Sequence, residues 1–208
     1  MQERLFFLSP ARLDGARAHI IMRDQAAFDV AIRLRQGKAT LGEVFSFMSG
    51  LYFRGKLFYA KAFVPPALRA SRIFIITSGA GLVAADTRVT REEVKKLAGV
   101  GIDDENHLYA LPLKRDAQEL AKTIGPDCLV ILLGSVATSK YSGPLTEVFG
   151  ERLLFPAEFV GRGDLSRGGL LLRAALSGKE LRYKPVGRST QHGSRPPKLS
   201  KKRPAIRA

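Results

Sequence analysis

Short, uninterrupted apolar runs constrain the fold of this chain more than any other feature of its sequence. Residues 73–76 and 128–133 carry only apolar side chains, which is typical of strands covered on both faces inside a parallel sheet. Further strands are predicted at residues 4–8 and 152–155, and helix-like segments separate these runs along the chain. Because strands and helices alternate, the sequence predicts an α/β fold, a single domain with a mostly parallel sheet of about four strands flanked by helices.

Capping patterns predict where two of the helices begin. Thr40 and Thr90 each precede a glutamate at the spacing of a capping box, in which a hydroxyl and a carboxylate satisfy free backbone N–H groups. The aromatic-rich helical stretch that follows Thr40 is expected to break at Gly50. Further helices are predicted at residues 114–124 and 143–149.

Positive charge is concentrated at the end of the chain. The net charge is +15, and residues 184–208 hold eight basic residues, four prolines and no acidic residue. Residues 1–183 are therefore predicted to form the domain, and residues 184–208 a disordered, flexible basic tail. Such a tail favours a polyanionic partner, because basic side chains that neutralise phosphates release bound counterions, although it also fits a tail that only adds solubility. The tail residues expected to contact nucleic acid are Arg195, Lys198, Lys201, Lys202 and Arg203.

The sequence argues against several classes of protein. The single cysteine, Cys128, permits neither an internal disulfide nor a cysteine metal cluster, and the three histidines lack metal-ligand spacing. No apolar run is long enough to cross a membrane, and residues 1–4 lack the pattern of a secretory signal. We therefore expect a cytoplasmic protein that uses no membrane, metal or cofactor.

A glycine pattern after one of the apolar runs resembles a dinucleotide-binding fingerprint. Gly79, Gly81 and Ala84 have the GxGxxA spacing, but that fingerprint needs a helix to begin at the second glycine so that its N-terminus meets the pyrophosphate. Residues 85–89 contain turn-forming and β-branched residues, and the next helix cap is Thr90. The sequence therefore favours a turn over a dinucleotide site.

A loop of small or polar residues follows each predicted strand. Ligands of open α/β sheets bind beyond the carboxyl ends of the strands, so these loops are expected to form one polar pocket with Arg12, Arg162 and Arg167 near it. The loops are residues 9–12, 78–86, 134–141 and 161–167.

The last of these loops has the composition of an anion site. Its glycines allow unusual backbone dihedral angles, and the helix that follows offers free N–H groups and the positive end of its dipole. Arg162 and Arg167 are each able to bind a phosphate or a carboxylate through the guanidinium fork. The alternative is structural, with Asp164 or Ser166 capping the helix and the arginines facing water.

Candidate catalytic groups are few. Neither the HExxH nor the GxSxG pattern occurs. Asp86 and Glu158 are carboxylates in or near the strand-end loops and are able to activate a water molecule, although a helix cap or a salt bridge is the more ordinary role of each. Arg54 and Lys56, in the aromatic-rich stretch with Tyr52, are candidate phosphate contacts.

Motifs in the strand-end loops resemble those of the YaaA-type peroxide-stress-resistance proteins. Residues 8–12, Leu-Ser-Pro-Ala-Arg, are similar to that family's Ser-Pro-Ala-Lys element, and residues 161–167, Gly-Arg-Gly-Asp-Leu-Ser-Arg, to its Ala-Arg-Gly-x-Met-Ser-Arg. Residues 78–86 resemble its Ser-Gly-Leu-Tyr-Gly stretch, which leads to an aspartate, and residues 134–141 resemble a segment that closes with a tyrosine. The matching positions are Ser9, Pro10, Arg12, Ser78, Gly81, Asp86, Tyr141, Arg162, Gly163, Ser166 and Arg167.

The resemblance carries expectations about function. It implies a cytoplasmic α/β protein that binds DNA and protects it during oxidative stress, with a more distant likeness to uracil-DNA-glycosylase-type domains. Arg12 replaces the family's lysine, which matters wherever a point charge or an amine nucleophile is needed.

Three functions from different classes are therefore open. The first is a nucleic-acid-binding stress protein, with DNA as the expected partner. The second is an enzyme acting on a nucleobase or nucleotide, with Asp86 or Glu158 positioning water. The third is a non-catalytic binder of a small anionic or nucleotide ligand. Steep weakening of nucleic-acid binding by salt is the property that favours the first.

Overall fold

A computed structural model of the chain describes residues 3–187, 193–194, 196–197 and 199. Within these residues the central feature is a six-stranded sheet with the order β4-β3-β1-β6-β7-β8, accompanied by a two-stranded sheet of β2 and β5. The strands are β1 (Arg4–Leu8), β2 (Ala39–Thr40), β3 (Ile73–Ile76), β4 (Leu82–Ala84), β5 (Arg88–Val89), β6 (Leu129–Leu133), β7 (Leu153–Pro156) and β8 (Tyr183–Pro185).

The predicted parallel sheet is confirmed, with more strands than expected. The four predicted strands are parallel to one another and correspond to β1, β3, β6 and β7. β4 and β8 pair antiparallel at the two edges. β8 begins at residue 183, the predicted end of the domain, and continues past it, and Val186 after it is buried. The sheet therefore extends into the segment assigned to the tail, whose candidate contacts at residues 195, 198, 201, 202 and 203 lie outside the described residues.

Helices cover both faces of the sheet. They are α1 (Ala16–Ile21), α2 (Asp29–Arg35), α3 (Leu41–Ser49), α4 (Leu51–Phe63), α5 (Arg69–Arg72), α6 (Arg91–Leu97), α7 (His107–Thr123), α8 (Ser139–Phe149) and α9 (Asp164–Leu176). Successive strand residues point to opposite faces, and Phe6 contacts Tyr59 of α4 whereas Phe7 contacts Phe149 of α8. α4 and α8 therefore lie on opposite faces of β1, which with β6 carries four fully buried residues in succession.

The capping predictions are confirmed. Thr40 and Thr90 each form a complete capping box with the glutamate that follows, at the starts of α3 and α6. Gly50 separates α3 from α4 with φ 63 and ψ −128, a conformation that strongly favours glycine. The helices predicted at residues 114–124 and 143–149 both begin earlier than expected. α7 is capped by Asn106 and continues through Pro112, and α8 begins at Ser139.

The backbones of α4 and α9 approach each other closely at two glycines, Gly55 and Gly168. A Cβ added at Gly55 would lie 2.7 Å from the carbonyl oxygen of Gly168, and one added at Gly168 would lie 2.8 Å from the carbonyl oxygen of Leu51. The backbones approach this closely because both contact positions lack a side chain. The contact holds the start of α9 beside the start of α4, which positions the site described below.

The turn at Gly81 is part of a hairpin. β3 and β4 are antiparallel neighbours, and Gly81 (φ 65) lies in the connection between them. A strand, not a helix, follows the second glycine of the GxGxxA pattern, as the sequence favoured. In the described part of the chain, no helix is both long enough and apolar enough to cross a membrane.

Candidate anion-binding cleft

A cleft of about 630 Å³ opens at the carboxyl ends of β1 and β6. Parallel strands expose their loops at this edge of a sheet, and ligands of α/β proteins bind there. The loops after β1 and β6 were both predicted to meet at this edge, and they do. The lining residues are Ser9, Pro10, Arg12, Gly15, Ala16, Arg17, Met48, Ser49, Tyr52, Ser135, Lys140, Tyr141 and Asp164.

Cationic side chains outnumber acidic ones around this cleft. Arg12, Arg17 and Lys140 line it, and Asp164 is the acidic residue among the lining residues. Arg12 is exposed and forms a salt bridge of 3.0 Å with Asp14, an arrangement that contributes little to stability because both groups are in water. Arg12 is therefore free to exchange Asp14 for an anionic ligand at low cost.

Helix starts add further positive potential. Tyr52 lies in the first turn of α4, Lys140 and Tyr141 lie in that of α8, and Asp164 begins α9. Within the described residues no side chain caps the start of any of these three helices, whereas the starts of α3 and α6 carry capping boxes. Uncapped helix starts present free N–H groups and the positive end of the helix dipole.

A buried hydroxyl at the cleft has its hydrogen-bonding capacity unused. The Tyr52 side chain is 8% exposed, and its hydroxyl has no hydrogen-bond partner among the residues that the structure covers. Burial raises the pKa of Tyr52 well above its ordinary value, so the group is a neutral O–H. Buried polar groups almost always have a partner, and the Arg167 guanidinium is the neighbour that acts on this hydroxyl. A guanidinium only donates, so the Tyr52 O–H is left as a donor for a ligand acceptor.

Lys56 lies behind the cleft and does not extend into it. Its side chain is 1% exposed, and its Nζ lies 2.5 Å from the carbonyl oxygen of Ser9 and 2.8 Å from Ser9 Oγ. The rings of Tyr52 and Phe53 lie 4.4 and 4.9 Å from Nζ. The prediction that Lys56 contacts phosphate directly is wrong, because the residues around it keep it away from solvent.

Burial controls the charge of this lysine. Desolvation lowers the pKa of Lys56 to about 7, while Asp164 acts to raise it and Arg167 to lower it. The protein pairs no carboxylate with Lys56 in its described part, so little offsets the cost of burying the charge. Near neutral pH the amine is therefore present in both its neutral and its protonated form.

A smaller cavity of about 370 Å³ adjoins the cleft. It shares Pro10, Arg12, Lys140 and Tyr141 with the cleft and extends towards Ser78 and the end of α6. The Ser78 hydroxyl donates a hydrogen bond to the carbonyl of Leu97. Burial raises the pKa of Tyr141, on the shared wall, to about 12. Ser9, Arg12, Ser78 and Tyr141 are therefore brought to one region, as the sequence predicted.

The arginines of the loop at residues 161–167 are used structurally. Arg162 donates to the carbonyl of Glu158, to Ser166 Oγ and to the carbonyl of Pro197. Arg167 is 8% exposed, donates to the carbonyl of Phe159 and packs on the Phe159 ring. Neither guanidinium lines the cleft, so the prediction that both lie at one pocket with Arg12 is wrong for this cleft. Arg162 instead lines a separate pocket of about 560 Å³ with Gly163 and Ser166, and the prediction of an anion site at this loop stays a prediction.

The remaining members of that loop contribute to its shape. Gly163 is the N-cap residue of α9, so neither Asp164 nor Ser166 has the capping role considered from the sequence. The carboxylate of Asp164 instead reaches the cleft lining.

Other predicted site residues lie away from the cleft. Arg54 is exposed on another face of α4, and Gly81 lies in the β3–β4 hairpin. Asp86 forms a salt bridge of 3.2 Å with Lys61 near the amino end of β3. Glu158 pairs with Arg182 at 3.4 Å. Neither candidate catalytic carboxylate is therefore placed to activate water in the cleft.

Sequence reasoning missed Arg17 and Lys140. Both lie at helix starts, Arg17 in α1 and Lys140 in α8. Lys140 falls within the predicted strand-end loop at residues 134–141, so its position was an available signal. Arg17 had none, because its guanidinium reaches the site by lying against Gly50, a residue remote from it in the sequence.

Comparisons with known proteins gave no match to this chain. No protein-family model, no curated protein and no solved structure matches it. Among the residues that the structure describes, no cluster of three or more histidine, cysteine or acidic side chains is placed to hold a metal ion.

Proposed function

We propose that this chain is a nucleic-acid-binding protein, with DNA as its partner, and that the cleft receives a phosphate group of the bound nucleic acid. The observation that carries the proposal is the meeting of Arg12, Arg17 and Lys140 with the uncapped starts of α4, α8 and α9 around one opening. Arginine and lysine side chains together with helix N-termini are the usual phosphate contacts of such proteins.

The charge of the whole chain supports the same partner. The net charge is +15, and the last 25 residues supply +8 of it. A basic domain followed by a basic segment binds polyanions mainly through counterion release, without reading the base sequence. We propose a cytoplasmic role in protecting DNA during oxidative stress, which rests on the resemblance of the motifs around Ser9 and Tyr141 to those of the YaaA-type proteins, with Arg12 in place of that family's lysine.

Fluorescence anisotropy of a labelled duplex and a labelled single strand tests the proposal. The double variant Arg12→Ala/Arg17→Ala is compared with Arg173→Ala/Lys179→Ala, which removes the same charge from exposed positions near the far end of α9. We expect the cleft variant to weaken binding more than the control, and to reduce the slope of log K against log salt by about 1–2.

The contribution of the tail is measured separately with a chain that ends at residue 187, after β8. Binding that survives this truncation and is lost on replacing Arg12 and Arg17 supports the cleft as the nucleic-acid site. Equal loss in the cleft and control variants, or binding that does not respond to salt, contradicts it.

A second candidate function is the binding of a small anionic ligand such as a nucleotide. The volume of the cleft, about 630 Å³, lies in the range of small-molecule sites, and the unsatisfied Tyr52 hydroxyl supplies a donor inside it. Isothermal titration with nucleotides distinguishes the two functions. A truncated chain that binds a nucleotide and no longer binds DNA favours the small ligand.

A further inference from the structure

Ser9 and Lys56 form a pair that anion binding does not require. Ser9 lines the cleft immediately after β1, and its Oγ lies 2.8 Å from Lys56 Nζ. The same Nζ lies 2.5 Å from the Ser9 carbonyl oxygen. A lysine that served only to attract phosphate would be more useful in the cleft, where Lys140 lies, than behind a serine.

The surroundings of the amine favour its neutral form. It packs against the rings of Tyr52 and Phe53 on its own helix, and the charged groups of α9 that act on it, Asp164 and Arg167, have opposite effects. Desolvation is the largest influence and lowers the pKa of Lys56 to about 7. Buried lysines with lowered pKa values act as general bases in enzymes.

The geometry suits proton transfer from the serine. A neutral amine has one lone pair and donates through its N–H groups. When an N–H group is donated to the Ser9 carbonyl, the lone pair is available to the Ser9 hydroxyl. The hydroxyl hydrogen rotates freely, so Ser9 Oγ donates to Nζ in this form. This is the relation between a nucleophile and its base in enzymes that use a serine and a lysine.

We propose that Ser9 Oγ is a nucleophile, activated by Lys56, that attacks the phosphorus of an anionic phosphate ester bound in the cleft. The inference rests on the proposed function for the anion-binding character of the cleft, and it adds a reaction to it. Ser9 is 5% exposed and lines the cleft together with Arg12, Arg17 and Lys140, whose cationic groups are suited to neutralising the phosphoryl oxygens.

The residue after Ser9 favours phosphoryl over acyl chemistry. Acyl-transfer enzymes with a nucleophile elbow stabilise the oxyanion with the backbone N–H of the residue that follows the serine. Here that residue is Pro10, which has no N–H group. The cationic side chains and helix starts around the cleft instead match a group that carries several anionic oxygens.

The reaction is balanced without a further reagent except water. The Ser9 Oγ–H proton passes to Lys56 Nζ while Oγ forms a bond to phosphorus and the P–O bond to the leaving alcohol breaks. The leaving oxygen lies on the far side of phosphorus from Ser9 and takes its proton from water in the cleft. Water then attacks the phosphorylated serine from the cleft and gives a proton to the solvent, while the Lys56 ammonium returns its proton to Ser9 Oγ as that oxygen leaves, and inorganic phosphate or a phosphomonoester is released.

An alkyl fluorophosphonate probe on the full chain tests the nucleophile without requiring DNA. Oγ attacks phosphorus, fluoride leaves, and the proton passes to Lys56. We expect one adduct, mapped to Ser9 by mass spectrometry, with no labelling in Ser9→Ala and unchanged labelling in Ser177→Ala, whose hydroxyl lies at the far end of α9. Lys56→Met should slow labelling by about 10²–10⁴-fold.

The pH profile separates a base from a structural lysine. With Lys56 as the base, the labelling rate of the wild type rises through pH 7 and levels off above about pH 8. A rate that keeps rising tenfold per pH unit, an absence of the Ser9 adduct, or wild-type labelling of a folded Lys56→Met overturns the proposal. The profile needs no variant, so a failure of Lys56→Met to fold leaves the test intact.

Chromogenic esters test the substrate class. We expect release of nitrophenolate from bis(4-nitrophenyl) phosphate and its loss in Ser9→Ala. Turnover of 4-nitrophenyl acetate alone overturns the phosphoryl assignment. If Ser9 is labelled but the chain does not bind DNA, the proposed function is wrong and the Ser9 nucleophile is supported. If the chain binds DNA but Ser9 is not labelled, the nucleophile is wrong and the proposed function stands.

Discussion

Replacing Lys56 with methionine is expected to change how the stability of the protein depends on pH. Burial lowers the pKa of Lys56 from 10.5 to about 7. Each pKa unit corresponds to about 1.4 kcal/mol, so keeping the protonated amine in the folded state costs roughly 5 kcal/mol relative to the unfolded chain. Methionine has a similar length and carries no charge, so the variant loses this cost at every pH.

The sign of the effect follows from proton binding. Below pH 7 the amine is protonated in both states, and the full cost is present. Between pH 7 and the unfolded pKa of 10.5, the unfolded chain holds a proton that the folded chain has lost. The free energy of unfolding of the wild type therefore rises with pH in this window, by about 2 kcal/mol between about pH 7 and 9.

Urea denaturation at several pH values between about 6 and 9 measures the effect. The quantity of interest is the free energy of unfolding of the wild type minus that of Lys56→Met, because the buried tyrosines and Cys128, whose pKa values are raised by burial, contribute equally to both. Lys61→Met, at a partly exposed position on the same helix, is the matched control for removing a lysine charge from α4. A difference that stays constant with pH would refute the titration of Lys56 and the argument built on it.

Three further substitutions test the packing and the helix ends, each by urea denaturation. Gly168→Ala should cost about 1–3 kcal/mol, because its Cβ would lie 2.8 Å from the Leu51 carbonyl oxygen; an unchanged midpoint would show that the helices separate easily. Thr90→Ala should cost about 1 kcal/mol, since it removes the acceptor of the Glu93 N–H, and Thr90→Ser should restore most of it. Gly50→Ala should cost about 1–2 kcal/mol or more, because φ is 63 there; no loss would indicate that the α3–α4 junction relaxes.

The fold was largely predictable because its strands are short and wholly apolar. Residues 73–76 and 128–133 indicated buried parallel strands, and β3 and β6 formed there. The edge strand β8 was missed because Lys184 and Pro185 resemble a polar tail. Proline is tolerated in an edge strand, where a backbone N–H has no neighbour to bind, so local composition does not distinguish such a strand from a tail.

The site was predictable only in part, since sequence spacing does not tell where an arginine points. The loops after β1 and β6 met as expected and brought Ser9 and Tyr141 together. Arg162 and Arg167 did not join them, because backbone carbonyls of their own loop bind both guanidinium groups. The motif that looked most like an anion site therefore braces the start of α9. Of the cations that line the cleft, Arg12 comes from the loop after β1, and Arg17 and Lys140 come from helix starts.

Helical periodicity did carry a signal for Lys56. Tyr52, Lys56 and Tyr59 stand at i, i+4 and i+7 of α4, which is one face of a helix. Tyr52 and Tyr59 are buried on that face, so a lysine between them must be buried as well. A charged residue on an apolar helix face is costly unless a partner or a function compensates it, and no acidic residue elsewhere in the sequence could be assigned to it.

Stability and chemistry make opposite demands at this position, and that opposition distinguishes a functional lysine from a structural one. A lysine kept for the fold should lower stability when it is replaced, because Ser9 loses a hydrogen-bond partner. A lysine kept for its basicity should behave differently, since buried charges replaced by apolar residues of similar volume often leave a protein equally or more stable. We therefore expect a Lys56→Met variant to be at least as stable as the wild type below pH 7 and to lose its reaction at Ser9. That result would mean that the Lys56 amine lowers the stability of the fold and is present for its chemistry.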